Sequence, residues 1–328
     1  MLNIFLRKTR NLILHRTPAL EFYTKFYDVN HHLKYSFNEK SLKDDKAHLK
    51  YYLTKHYHII EKGLALPEPR LGFGQPKILD VIEKTKKYER LYGVDQLVCS
   101  IRKTLSEYII FNKKQEFSFP EDFKNVVTDF LNQDSALGKG GLKYINKKTA
   151  STLNLQEFNE FANGRVSVRD FSSESVPNDI LYSAVGAARS APSVCNRQGW
   201  KVHYYSDKSK IKEILTHQNG NSGFTDVIDK LIIVTADAKA FTSYESNQIF
   251  IDGGLFSMNL LLAIHAAGLG ACPLNTCYPS FIEKRVKRVS EIHDSERLIM
   301  MIGIGCLKES YNVAYSPRNP IDDIFVSH

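Results

Sequence analysis

Two arginines and a serine alternate in the short stretch RVSVR, at Arg165, Ser167 and Arg169. In an extended backbone alternate side chains point to the same side, so these three polar groups would share one face. Guanidinium groups bind phosphate oxygens through paired hydrogen bonds, and a serine hydroxyl can occupy a remaining acceptor position. The pattern predicts a phosphate-binding strand, and an exposed polar strand edge is the alternative interpretation.

A second polar segment, SAPSVCNRQGW, follows a helix-like segment and precedes the strand-like KVHYY. Its Ser193, Asn196 and Gln198 can hydrogen-bond the polar edge of a flat heterocycle, and Pro192 limits the freedom of the loop. We expect Trp200 to anchor the core at the start of the strand rather than to serve as a stacking platform.

A third candidate lies near the end of the chain, in YSPRNPIDDIF. Ser316 and Arg318 stand there among prolines that hold the backbone extended. This segment is another candidate anion site.

Thiol and imidazole spacing argues against a metal centre. The five cysteines are scattered, with no CxxC pair, at Cys99, Cys195, Cys272, Cys277 and Cys306. Their number and spacing favour a reduced, cytoplasmic protein without structural zinc. Cys272 and Cys277 are the alternative redox pair, although buried free thiols are the commoner outcome. His56 and His58 would lie on different faces of a helix, so they predict no metal site.

The patterns divide the chain into two regions. Residues 1–150 read as mostly helical, with a Gly- and Lys-rich linker or exposed crossover over 132–150. Residues 151–328 alternate helices with three strand candidates, KVHYYS, KLIIVTAD and RLIMMIGIG, which favours an α/β or α+β layered arrangement. A helix over 252–267 is apolar around most of its circumference, so it would be buried centrally or at a subunit interface.

Charge also separates the two regions. Residues 1–150 carry 27 Lys and Arg against 17 Asp and Glu, a balance of +10, so the remaining residues carry −2 of the total of +8. A basic half is suited to binding nucleic acid, anionic lipid or an acidic substrate. No nucleic-acid motif is present, however, so the default interpretation is that the basic residues lie on solvated helix faces.

The opening MLNIFLRKTRNLILHR is not a secretory signal, and no apolar run predicts a membrane span. That opening predicts a helix packed on its own domain, or a basic amphipathic helix on a membrane or partner.

In chain order, RVSVRDF, AARSAPSVCNRQGW, AIHAAGLGACPLNT and SPRNPIDDI resemble the four sequence landmarks of the flavin-dependent nitroreductase family. The resemblance covers roughly residues 155–326. It implies a three-layer α-β-α fold of the α+β class, preceded here by the helical region, and a homodimer that binds FMN at its subunit interface.

The resemblance also assigns the polar residues to parts of the flavin. It implies that Arg165, Ser167 and Arg318 bind the phosphate, with Ser316 standing where many relatives have a lysine. Arg169 would lie near N1 and O2.

Asn196 and Gln198 would lie near the pyrimidine edge, in the loop that includes Pro192 and Ser193. The loop Pro273-Leu274-Asn275 would present backbone N–H groups to N5 and O4, although family members often have an acidic residue and a glycine there.

The implied activity is reduction of a small-molecule acceptor or biosynthetic intermediate with NADH or NADPH as electron donor. The segments HYHIIEKGL and PEPRLGFG resemble the N-terminal extension of nitroreductase-like proteins associated with bacterial polysaccharide biosynthesis, which suggests a glycan-synthesis or peripheral membrane partner. Two alternatives stay open: a catalytically silent flavin-fold scaffold or tether, and an FMN-dependent dehydrogenase that uses oxygen as acceptor. No catalytic residue is assigned; Tyr244, Tyr278 and His265 are proton-donor candidates by residue type alone.

Overall fold

The computed structural model describes residues 18–39, 42, 45–132, 138–147 and 151–328. The opening segment MLNIFLRKTRNLILHR, for which a helix was predicted, lies outside the described residues. So do two parts of the predicted linker, residues 133–137 and 148–150.

The first half is helical, as predicted. Its helices are α1 (Pro18–Tyr35), α2 (Lys46–Leu64), α3 (Gln75–Tyr92), α4 (Gln96–Lys114) and α5 (Glu121–Leu131). Asp45 and Asp95 cap α2 and α4, because each carboxylate accepts two backbone N–H groups of the first turn. Helices α2 to α5 share one hydrophobic core, which buries Leu53, Ile101 and Phe130 among others.

Residues 138–141 of the predicted linker pack closely on α4, whereas residues 142–147 are exposed. A Cβ atom at Gly138 would lie 2.9 Å from the Cβ of Cys99, and one at Gly140 would lie 2.5 Å from the carbonyl oxygen of Ser100. The backbone N–H of Gly141 donates to Glu61 at 3.0 Å. The glycines therefore serve close packing of two backbones.

The second half contains a four-stranded antiparallel sheet in the order β1-β2-β4-β3. Its elements are α6 (Leu155–Gly164), α7 (Asn178–Ala188), β1 (Trp200–Tyr205), α8 (Lys208–Leu215), β2 (Lys230–Asp237), α9 (Gln248–Ala266), β3 (Leu269–Leu274), α10 (Ser280–Val289) and β4 (Glu296–Cys306). The three strand candidates are β1, β2 and β4. Strand β3 is an addition: Gly268, at φ +73°, separates it from α9, with which part of it had been grouped.

Helices cover both faces of this sheet. Strand β2 is buried along its whole length, and its alternate residues enter two different cores. Leu231 and Ile233 pack with α8 and α10, whereas Ile232 and Val234 pack with α7 and α9. The three-layer α-β-α arrangement, preceded by a helical region, is confirmed.

Helix α9 is long and apolar enough to cross a membrane by length and composition, although no membrane-length apolar run had been predicted. It packs on the sheet through buried residues such as Phe256, Leu260 and Ile264, as the core helix of a soluble fold also does. Trp200 stacks on Phe256 with ring centroids 5.0 Å apart, so it anchors the core as expected. The outer face of α9 stays exposed at Phe250, Ile251, Leu255 and Met258.

Helix α1 reverses the usual amphipathic arrangement. Its inner face is polar and aromatic: His31 and His32 are buried, and Asp28 pairs with Arg297 of β4 at 2.8 Å. Its outer face exposes an apolar stripe formed by Phe22, Phe26, Val29 and Leu33. Polar contacts therefore hold α1 to the second half of the chain, while its apolar face points to solvent.

Candidate functional site

The RVSVR stretch runs parallel to the edge strand β3. Ser167 forms an isolated bridge with Ala271, and the N–H of Val168 donates to the carbonyl of Ala271 at 3.0 Å. Val168 is buried in the core, so the alternate residues Arg165, Ser167 and Arg169 share the opposite side. Residues 165 and 169 are four residues of extended chain apart, which separates their Cα atoms by about 13 Å. One row thus offers two cationic positions with a hydroxyl between them.

Arg165 has unused hydrogen-bonding capacity. Its Nε atom is buried and has no hydrogen-bond partner, and no ion pair to this side chain is found in the described part of the chain. Leu261 and His265 of α9 and Tyr311 line a small cavity beside it. A buried guanidinium nitrogen without a partner is costly, so an anion at this position would be favourable.

Arg169 lies at the other end of the row, near the end of β3. Burial raises the pKa of the Cys272 thiol, and the positive charge of Arg169 offsets part of that rise. The side chain of Arg169 is exposed. A ligand alongside this strand could therefore place an anion at Arg165 and a second electron-rich group near Arg169.

Strand β3 ends in the loop predicted to face the flavin, Pro273-Leu274-Asn275. Leu274 is buried. Asn275 is exposed, but both its backbone carbonyl and its side chain accept hydrogen bonds. The carbonyl of Asn275 accepts a 3.1 Å hydrogen bond from Gln218, and its side-chain oxygen accepts the N–H of Cys277 at 3.2 Å. Gln218 directly precedes the segment Asn219–Asp226, so this segment starts beside the end of β3.

The SAPSVCNRQGW segment forms a loop with an unusual backbone. Cys195, Asn196 and Gln198 all have positive φ, at 48°, 53° and 51°, although none is glycine. Such residues cost free energy and persist where the surrounding structure imposes them, often at binding sites. The Gln198 N–H donates to Ser193 Oγ at 3.0 Å, and its side-chain amide donates to both oxygens of Asn196 at 3.1 Å. The predicted amide pair is thus assembled within one loop, beside an exposed Pro192.

An ion pair between Arg197 and Glu245 lies under this loop and supports it. Arg197 is 1% exposed, and its two terminal nitrogens donate to Glu245 at 2.8 and 2.7 Å. Burial alone would raise the pKa of Glu245, but the hydrogen bonds from Arg197 and Thr242 outweigh it and lower the pKa. Glu245 is therefore held ionised beneath the loop.

The phosphate row and the strained loop lie at opposite ends of α9. Arg165 is beside His265 in the last turn, whereas Val194 donates its N–H to Asp252 in the second turn. Thirteen residues of helix separate these two contacts, about 20 Å. Within one subunit, Arg165 and this loop therefore do not lie close enough to contact the same part of a ligand.

Ser316 and Arg318 lie in the C-terminal tail. Both are exposed, Ser316 has φ 48°, and the guanidinium of Arg318 donates to the carbonyl of Ser316 at 3.1 Å. The tail exposes large apolar side chains, with Tyr315 92% and Phe325 72% exposed. No hydrogen bond or shared cavity joins Arg318 to Arg165 among the residues that the structure describes.

A cavity of about 860 Å³ adjoins the end of β3. The N-terminal helix α1 forms one wall through Glu21, Lys25 and Asp28, and residues 273–279 form another. Arg297 lies at its base, 2.8 Å from Asp28 and 3.1 Å from Glu283. The contribution of α1 to this cavity was not predicted from the sequence. In the sequence, only the alternation of polar residues with the apolar stripe of α1 indicates that this helix has a polar inner face.

The proton-donor candidates differ in position. Tyr244 is almost fully exposed, whereas Tyr278 lines the cavity and burial raises its pKa. The His265 ring packs against Phe161 in a tilted arrangement, with ring centroids 5.1 Å apart. Among the described residues no His, Cys, Asp and Glu group suits a metal ion, and the cysteines are free thiols.

Comparisons with known proteins find relatives of part of this chain. Residues 162–222 match the nitroreductase family. Iodotyrosine deiodinase 1 of Sus scrofa is 25% identical over 205 residues, covering 52% of this chain and 68% of that protein.

Solved structures resemble about half of the chain. A nitroreductase family protein from Streptococcus pneumoniae TIGR4 aligns with a TM-score of 0.44 at 21% identity, covering 52% of this chain and 100% of that chain. An FMN-dependent nitroreductase from Clostridium difficile R20291 aligns with a TM-score of 0.42 at 20% identity, covering 48% and 91%. The family match over 162–222, taken with the three-layer sheet, confirms the predicted nitroreductase-like α+β fold.

Proposed function

We propose that this chain, nitroreductase-like in its second half, is an FMN-dependent oxidoreductase that uses NADH or NADPH to reduce a small-molecule acceptor or biosynthetic intermediate. The observation that carries the proposal is the row Arg165, Ser167 and Arg169 along β3, with a buried guanidinium nitrogen unpartnered at one end. Bound FMN would supply the hydride chemistry that no protein side chain provides.

The chain's own residues would bind and orient that cofactor. Arg165 and Ser167 suit the phosphate, because a guanidinium and a hydroxyl donate to phosphate oxygens together. Arg169 would favour negative charge on the ring system. Ser193, Asn196 and Gln198 supply the donors and acceptors for a heterocycle edge, and Pro192 with the 273–275 loop would flank the ring.

We propose that the active unit is a homodimer. The row at Arg165 and the strained loop lie about 20 Å apart along α9, so a site that uses both groups needs a second copy. The exposed face of α9 and the exposed tail supply apolar surface for that contact. Val29 of the α1 stripe and Phe250 of α9 line one groove, so the stripe extends the same surface.

We propose the cavity beside β3 as the acceptor site. Its volume suits a small organic molecule, and its lining mixes apolar side chains such as Leu298 and Met300 with the charged groups of α1. Some relatives are named for iodotyrosine, so iodotyrosine belongs in the first panel of acceptors. Residues 219–226 and 238–248 lie beside the two predicted flavin loops and are the expected source of acceptor specificity.

The setting is proposed from sequence features. The scattered cysteines support a cytoplasmic enzyme, the resemblance of the N-terminal segments to extensions found with polysaccharide biosynthesis supports a glycan-synthesis partner, and the basic first half supports a peripheral membrane partner. The silent scaffold and the oxygen-dependent dehydrogenase stay as alternatives, because neither requires a different fold.

The test is the visible absorbance spectrum of the purified full chain, recorded anaerobically before and after addition of NADH and then NADPH. We expect flavin bands that bleach with one of the two donors. Bands that persist would favour the dehydrogenase, and a colourless protein that fails to bind added FMN would favour the scaffold.

A further inference from the structure

A side chain from the N-terminal region packs directly on the ion pair beneath the strained loop. The guanidinium carbon of Arg197 lies 5.7 Å from the ring centre of Phe37 and 5.4 Å from that of Phe241. Both rings are buried, at 2% and 0% exposure. Arg197 is therefore fixed by two aromatic rings as well as by Glu245.

Phe37 is itself anchored to the second half of the chain. Its N–H donates to the carbonyl of Phe241 at 2.9 Å, and it forms an isolated parallel bridge with Thr242. The N–H of Thr242 donates in turn to Glu245 at 2.6 Å. One short segment thus connects the N-terminal region, the second ring and the acid of the ion pair.

The loop depends on Arg197 for its shape. Arg197 Nε donates to the carbonyl of Val194 at 3.1 Å, across the two residues Cys195 and Asn196 that have positive φ. Gln198, the third such residue, follows Arg197 directly. Because strained backbone persists only where packing imposes it, the contacts of Arg197 impose this conformation on the loop.

Helix α2 adds a second contact from the same region. It lies against Val194–Asn196, and Tyr51 of α2 shares a small core with Phe241 and Val194. The N-terminal region therefore supports the loop through a ring on Arg197 and through α2.

We propose that Phe37 is a positioning residue that holds the Ser193–Gln198 loop in its strained, ligand-ready conformation. The assignment of that loop to FMN rests on the proposed function, whereas the effect of Phe37 on the loop's conformation does not. The N-terminal region is then an integral part of the binding site rather than only a tether.

The test compares Phe37→Leu with Phe130→Leu in the full chain. Phe130 is a matched control, because its ring lies 5.0 Å from the guanidinium of the buried Arg102, which pairs with Glu89 in the helical core. Each substitution removes one aromatic ring that packs on a buried arginine, and in both cases that arginine forms an ion pair with a glutamate. Hydrogen–deuterium exchange of the 190–200 peptide, FMN affinity and urea stability are measured for both.

We expect Phe37→Leu to speed exchange of the 190–200 peptide and to weaken FMN binding roughly three- to tenfold, the size of a lost cation–π contact. Phe130→Leu should lower stability with neither effect. Arg197→Lys is a second variant in case Phe37→Leu does not fold: it keeps the charge but loses the planar fork, so it should loosen the same peptide.

Unchanged exchange of the 190–200 peptide in a folded Phe37→Leu protein would overturn the proposal, whatever FMN does. Equal loosening of that peptide in Phe130→Leu would also overturn it, because the effect would then be general destabilisation. If the wild type binds no FMN, the proposed function fails, while the exchange comparison still decides whether Phe37 positions the loop.

Discussion

The backbone N–H of Val194 donates to the carboxylate of Asp252, at 3.3 Å to Oδ1 and 3.1 Å to Oδ2. Asp252 is 1% exposed and also accepts a 2.7 Å hydrogen bond from Gln248. Burial raises its pKa even though both hydrogen bonds favour the charged form. The start of the strained loop is thereby tied to the first turns of α9.

Replacement of Asp252 should test this tie. We expect Asp252→Ala to weaken FMN binding about tenfold, because a hydrogen bond to a charged group contributes about 1.5–3 kcal/mol and its loss leaves the Val194 N–H without an acceptor. Asp252→Asn keeps an acceptor oxygen and should retain most of the affinity. Fluorescence titration of FMN measures both, and equal affinity of the alanine and wild-type proteins would contradict the prediction.

The phosphate row makes a separate prediction. Arg165→Ala and Arg318→Ala should each lower FMN occupancy of the purified protein about tenfold or more, because each removes a charge-assisted bond to phosphate. Arg70→Ala, on an exposed loop between α2 and α3, is the matched control and should keep normal occupancy. Absorbance at the flavin bands, normalised to protein, gives the occupancy; normal FMN affinity in both site variants would remove these residues from the site.

Much of the second half follows from local patterns in the sequence. Alternation with period 2 predicted that Arg165, Ser167 and Arg169 share a face, and the bridge from Ser167 to Ala271 places this stretch beside β3. Strand β3 was not predicted, because its small residues continue the apolar run of α9 and the break at Gly268 is a matter of backbone geometry. Assignment of these residues to FMN stays a prediction.

The support of the loop could not be predicted from local pattern. Cys195, Asn196 and Gln198 have positive φ without being glycine, so their conformation is imposed by packing and not by residue type. The contact between Phe37 and Arg197 joins residues far apart in the chain. Only the folded arrangement brings these residues together.

The proposed dimer predicts the effect of a charge on α9. Leu255 is 43% exposed on its outer face, and Leu255→Glu should give a monomer with lower FMN content, because an unpaired carboxylate is costly in an apolar interface. Leu66→Glu, 58% exposed in the loop after α2, is the control. Sedimentation equilibrium gives the mass of each variant, and a wild-type monomer with full flavin content would exclude the interfacial site.

Glu296 predicts a loss of stability in acid. It is 2% exposed and accepts hydrogen bonds from Lys201, His203 and Thr235 at 2.8, 2.7 and 2.6 Å. Burial alone would raise its pKa, but these donors outweigh it and lower the pKa from 4.5 to about 2. The unfolded chain therefore binds the proton more readily, so this contribution is full above pH 4.5 and is lost as the pH falls toward 2.

Glu296→Gln should flatten this dependence. At about 1.36 kcal/mol per pKa unit, the ionised carboxylate accounts for about 3 kcal/mol of the difference in unfolding free energy between pH 7 and pH 2. Urea unfolding of both proteins across this range measures that difference, which should be smaller in the variant by about that amount. Glu83→Gln, on an exposed side chain, should leave the wild-type dependence unchanged. An equally steep acid loss in Glu296→Gln would show that other carboxylates produce it.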